Sequence, residues 1–131
     1  MNNSKGKVIF INPVVGPAAY LDDEDGTVVS EHMVYPYPGL MILASVLDKA
    51  GYNAVLLDAN LYTKNKFQQR LFHEIDDDVI FVGFSLMTMN VVWAYPVIEE
   101  IKTRYPKIKI AAGGFHPTLF PDQMIEDEYI D

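Results

Sequence analysis

The stretch Val79-Ile80-Phe81-Val82-Gly83-Phe84-Ser85 decides the fold. It is an unbroken apolar run rich in β-branched and aromatic residues, and it stops on a serine. Such a run suits a strand covered on both faces, as in a parallel sheet. Upstream of it, Lys64 to Ile75 reads as a helix with Phe67, Leu71, Phe72 and Ile75 on one face. Ala54-Val55-Leu56-Leu57-Asp58 reads as a strand. Pro38 to Ala50 reads as a helix, because Pro38 falls in a first turn where a missing N–H costs nothing. Leu40, Leu43, Val46, Leu47 and Ala50 recur there at helical spacing, and Gly51 follows as a left-handed cap. Val8-Ile9-Phe10-Ile11 is the first strand, closed by Asn12-Pro13.

Downstream, Asn90 to Tyr105 predicts a helix with Val97, Ile98, Ile101 and Tyr105 facing the core. Pro96 inside it predicts a kink or a later first turn. Lys107 to Ala112 reads as a fourth strand ending in Gly113-Gly114. Thr118 is the expected cap of a last helix, about Leu119 to Asp127. Tyr129-Ile130 reads as the opening of a fifth strand, cut off by the chain end. Strands alternating with helices imply parallel pairing through right-handed crossovers. The predicted architecture is α/β: a three-layer, doubly wound parallel sheet of flavodoxin or Rossmann-like type, order 2-1-3-4-5, with strand 5 truncated.

The 131 residues supply one domain, spanning 1–131. Half are hydrophobic and 21% charged, which excludes bulk disorder. No apolar run reaches the roughly 18 residues of a membrane span, and no export signal opens the chain. No membrane partner and a cytoplasmic location are therefore expected. The net charge of −8 opposes nucleic-acid binding, and no basic cluster overcomes it. The acids bunch at 22–25, 76–78 and 126–131 without EF-hand spacing, and read as solvated loops. The absence of cysteine excludes disulfides, thiolate zinc sites and iron–sulfur ligation within this chain. The loop 13–37 runs for about 25 residues where two to six are usual. It leaves the carboxyl end of a strand, where loops carry function.

Open α/β sheets bind ligands at the carboxyl ends of their strands, near the switch in strand order. Three segments reach that crevice: the long loop, Ser85 to Asn90, and Gly113 to Thr118. The dinucleotide fingerprint, the Walker lysine and the G-x-S-x-G elbow are all missing. Ser85 and Thr88 offer hydroxyls, either for a ligand or, with Asn90, as a helix cap. Gly113-Gly114 allows close approach by a ligand or a tight turn. His116, held extended by Pro117, is a structural hydrogen-bonding residue or a ligand contact. His73 lies on a surface helix. Met33, Met41, Met87 and Met89 suit packing.

Together these residues resemble the cobalamin-binding domain, in particular the N-terminal domain of B12-dependent radical SAM proteins. The family pattern runs D-x-H-x-x-G, then S-x-L, then G-G. Here Ser85-Leu86-Met87 stands for S-x-L, and Gly113-Gly114 follows at close to the expected gap. Pro36-Tyr37-Pro38-Gly39-Leu40, Val8 to Pro13, and Gly113 to Thr118 match further stretches of the radical SAM branch. The magnesium-protoporphyrin monomethyl ester oxidative cyclase type is the most similar. The resemblance implies cobalamin contacts from Pro36, Gly39, Ser85, Leu86, Met87, Thr88, Gly113, Gly114, His116, Pro117 and Thr118.

In that pattern Ser85 meets the dimethylbenzimidazole tail, while Gly113 and Gly114 leave room for it. Gly39 matches the glycine of D-x-H-x-x-G, so the cobalt-ligating histidine falls on Pro36 and the aspartate on Val34. A base-off cofactor without a histidine lower ligand is therefore expected, with no protein metal ligand. His32 is the nearest histidine and an unconventional candidate for cobalt. S-adenosylmethionine and a 4Fe-4S cluster would belong to a radical SAM domain after residue 131, the implied partner. The fragment alone would then not be catalytic, its parent being a methyltransferase or oxidative cyclase. The alternatives are a structural or interaction domain of the same fold that has lost its cofactor, and a flavin or nucleotide binder.

Overall fold

The computed structural model describes residues 4–15 and 37–131. Its elements run β1 (Lys7–Asn12), α1 (Pro38–Lys49), β2 (Asn53–Asp58), α2 (Lys64–Glu74), β3 (Val79–Ser85), α3 (Val91–Arg104), β4 (Lys109–Gly113), α4 (Phe115–Leu119) and α5 (Pro121–Ile125). The strands form one parallel sheet in the order β2-β1-β3-β4. This is the predicted flavodoxin-like order as far as strand 4.

The two faces of the sheet are covered unequally. On one, Ile9, Ile11, Val82, Phe84 and Ile110 pack against Phe67 and Leu71 of α2 and Ala94, Val97, Ile98 and Ile101 of α3. The continuous apolar strands supply that core, since alternate residues of each point to this side. On the other face Val8 and Phe10 meet Leu40, with Tyr37, Ala44, Leu47 and Phe81 around them. Leu43 and Val46, expected in the core from their helical spacing, are about half exposed, at 51% and 58%. They face open space between α1 and the sheet rather than a packed layer.

Local chemistry places most of the boundaries. Thr63 caps α2 by accepting from the Lys66 N–H, and Gly51 follows α1 at φ +93°. Pro96 lies inside α3, not in its first turn. The predicted helix from Leu119 to Asp127 is observed only as α5, and a helix that was not predicted, α4, precedes it. In α4 His116 is helical rather than held extended, because Pro117 falls in the first turn, where its missing N–H costs nothing. Phe120 leaves the helical region at φ −129°, ψ 57° because Pro121 follows it. Thr118 lies within α4 and caps nothing; its hydroxyl donates to the Gly114 carbonyl at 2.8 Å.

Tyr129-Ile130 does not form a strand. At the edge of β4 the Asp131 N–H donates to the Ile110 carbonyl at 3.0 Å. The Asp131 carboxylate accepts from the Ile110 N–H at 2.9 Å, where a fifth strand would offer a carbonyl. No helix of the described residues is long and apolar enough to cross a membrane.

Candidate functional site

A cavity of about 690 Å³ lies between α1 and the sheet. Parallel pairing builds its floor in rows. Phe10 pairs with Gly83, and Gly83 with Ala111; one row further toward the carboxyl ends, Ser85 pairs with Gly113. Paired residues of a parallel ladder share a face. A track of small residues therefore runs along the side that α1 covers only in part. Tyr37, Gly39, Leu40, Leu43, Val46 and Leu47 form the opposing wall. Among the described residues the lining holds no charged side chain.

Each small residue has its own reason. A Cβ on Gly83 would meet the Phe10 ring at 2.9 Å, so glycine lets that ring lie across the strand. Phe10 in turn packs edge-to-face on Phe81, with ring centroids 6.0 Å apart. A Cβ on Gly113 would meet nothing within 4 Å. The described residues leave that space free. Gly114 differs: its φ is +97°, and a Cβ there would approach the Leu86 carbonyl oxygen to 2.8 Å. Of the paired glycines, Gly113 leaves room and Gly114 makes the turn.

The rim at the carboxyl ends of β3 and β4 is tied together. The Leu86 N–H donates to the Gly113 carbonyl at 2.7 Å, and the His116 N–H to the Leu86 carbonyl at 3.0 Å. Asn90, buried, accepts from the Met87 N–H at 2.9 Å and reaches the Ser85 carbonyl. Asn90 stands at the N-cap of α3 but makes no side-chain cap bond to that helix; its oxygen serves the turn before it, so neither expected residue caps α3 with its side chain. Thr88 instead bonds His116 Nδ1 at 3.1 Å. The His116 ring is buried against Phe120, and its Nε2 has no hydrogen-bond partner among the described residues.

Of the residues implied by the resemblance, Gly39, Ser85, Gly113 and Gly114 come together in the cavity lining. Leu86, Met87, Thr88, His116, Pro117 and Thr118 do not line it. Leu86 is fully buried, and Thr88, His116 and Thr118 hold the rim through the bonds above. Pro36 and His32 lie outside the described residues, as do Val34 and the acids at 22–25. Among the described residues no three His, Asp or Glu gather to hold a metal ion. Phe10, Gly83, Ala111, Leu43 and Val46 line the cavity without having been singled out for it. The signal was present as small residues at strand period, Gly83-x-Ser85 and Ala111-x-Gly113.

A model of the B12 binding domain family matches residues 26–131. No curated protein and no solved structure matches the chain.

Proposed function

The chain belongs to the B12-binding domain family, and on that premise we propose that it is a cobalamin-binding module that holds the cofactor's nucleotide tail under α1. The observation that carries this reading is the open floor at Gly113, where a Cβ would meet nothing within 4 Å beside Ser85 and Ala111. A flat, apolar benzimidazole suits a cavity bounded by Gly83, Ala111 and Gly113 on one side and Leu43 and Val46 on the other. Ser85 supplies a hydroxyl at the strand end. Gly114 and the Thr88–His116 bond hold the rim in shape.

The cofactor would sit base-off, since Pro36 stands where the family pattern has its histidine. Bound cobalamin supplies a cobalt centre for group-transfer or redox chemistry. What this chain contributes is binding, orientation and exclusion of water from the tail. The cysteines that a 4Fe-4S cluster needs are absent here. Cluster and S-adenosylmethionine chemistry would belong to a radical SAM domain acting as partner, of methyltransferase or oxidative cyclase type. The ordered matches to that branch at 8–13, 36–40 and 113–118 support this assignment. Titration of the folded chain with hydroxocobalamin, followed by absorbance, tests the binding. Saturable binding with a base-off spectrum is expected; its absence would overturn the reading.

A further inference from the structure

The outer surface of α2 and α3 lies on the far side of the sheet from the cavity and does not depend on the cobalamin reading. The two helices pack side by side on one face. Phe67 meets Trp93 with ring centroids 5.2 Å apart, and Gln68 Nε2 donates to Glu100 at 3.2 Å. Between the helices runs a furrow of about 130 Å³, with Val92, Trp93 and Pro96 along its α3 side. Val92 is 85% exposed, an apolar side chain left on the surface.

The flanks of the furrow carry opposite charge. Gln68 and Phe72 turn toward α3, so Lys66, Arg70 and His73, at helical spacing, form a stripe on the flank away from it. They line one hollow with Tyr62 and Gln69, and among the described residues that lining holds no acid. Arg70 is paired with Glu74 at 2.7 Å, while Lys66 and His73 make no ion pair among the described residues. On α3 the far flank is acidic. Glu100 faces α2, so Glu99, about 100° round the helix, faces away from it with Tyr95. The Tyr129 hydroxyl donates to Glu99 at 3.5 Å, and the charges of Glu99 and Glu128 push that hydroxyl above its ordinary range. Asp127 hydrogen-bonds Tyr95. Lys102, beside them, is taken up by Asp131.

Across this face the order is basic, apolar, acidic. A face so arranged is complementary to itself when turned by a two-fold axis through its centre. We infer that it docks a second copy of this chain, with Val92, Trp93 and Pro96 of both copies at the axis and the Lys66 stripe of each on the Glu99 flank of the other. An apolar centre inside a charged rim is the usual anatomy of a protein–protein interface. The net charge of −8 repels a second copy in most orientations, so association falls to the face where the signs interlock.

Sedimentation velocity on the whole chain tests this. A concentration-dependent dimer is expected at low salt, weakened at least about tenfold near 1 M salt, where the Debye length is about 3 Å. Lys66→Glu and Glu99→Lys change exposed side chains, and circular dichroism of both should match the wild type. Each variant alone is expected to be monomeric, since like charges then face each other in both symmetric pairs. Their equimolar mixture should recover a one-to-one dimer, because one copy then carries acids at both positions and the other lysines at both. A wild-type chain that stays monomeric would overturn the inference. So would single variants that dimerise like the wild type, or a mixture that does not dimerise.

Discussion

Gly114 and Leu86 are in backbone contact: a Cβ on Gly114 would lie 2.8 Å from the Leu86 carbonyl oxygen and 3.2 Å from its nitrogen. Gly114 also has φ +97° and ψ −165°, a region essentially reserved for glycine. Gly114→Ala is therefore expected to destabilise the fold by at least about 1–3 kcal/mol, read as a lower urea midpoint. Gly113→Ala, with open space around its new Cβ, is expected to stay within about 0.5 kcal/mol of wild type. Equal losses at the two positions would contradict the separation of their roles.

The Thr88–His116 bond joins the loop after β3 to the one after β4. Thr88→Val strands His116 Nδ1 in a site where Nε2 already lacks a partner. The expected cost is about 1–2 kcal/mol. His116→Leu removes both unsatisfied atoms at once, so the double variant should be more stable than the sum of the single losses implies. Additive losses in the double-mutant cycle would show that the two side chains are not coupled.

Much of the fold was legible in the residues because short, doubly buried strands read as continuous apolar runs. Val79 to Ser85 and Val8 to Ile11 announced themselves, and Gly51 ended α1 where a glycine cap was expected. The errors have local causes. Pro121 delayed the start of the last predicted helix by expelling Phe120 from the helical region, and α4 formed before it although Pro117 follows His116. Leu43 and Val46 carried a core periodicity but face a cavity, since spacing reports which side of a helix is apolar and not what lies opposite. The candidate site was half legible. Ser85, Gly113 and Gly39 stood in motifs. The floor residues Gly83 and Ala111 gain meaning only once strand register sets them beside Ser85 and Gly113. Thr88 and His116 are distant in sequence and met only through the fold.

Asp131 gives the molecule an acid-sensitive contact. The hydrogen bond from Lys102 holds its carboxyl well below the usual carboxylate range, aided by the Ile110 N–H and by Lys109 at 2.9 Å. Partial burial opposes them. A carboxyl with its folded pKa depressed stabilises the fold above the unfolded value of 3.8. That contribution is lost as pH falls below it toward the folded value. Asp131→Asn is expected to lower stability at neutral pH and to flatten the acid limb of the stability profile. The gap between variant and wild type should close as pH falls below the usual carboxylate range. A gap independent of pH would contradict the ion-pair account.

The most direct measurement is a side-by-side hydroxocobalamin titration of the wild-type chain and Gly113→Val, with circular dichroism and thermal unfolding run on both. Valine suits a strand end, and its side chain would enter the space left open beside Ser85. The expected result is saturable binding by the wild type and at least about a hundredfold weaker binding by an equally folded variant, as loss of a well-filled pocket implies. Equal binding by Gly113→Val, or no binding by the folded wild type, would contradict the claim that this cavity holds the cobalamin tail.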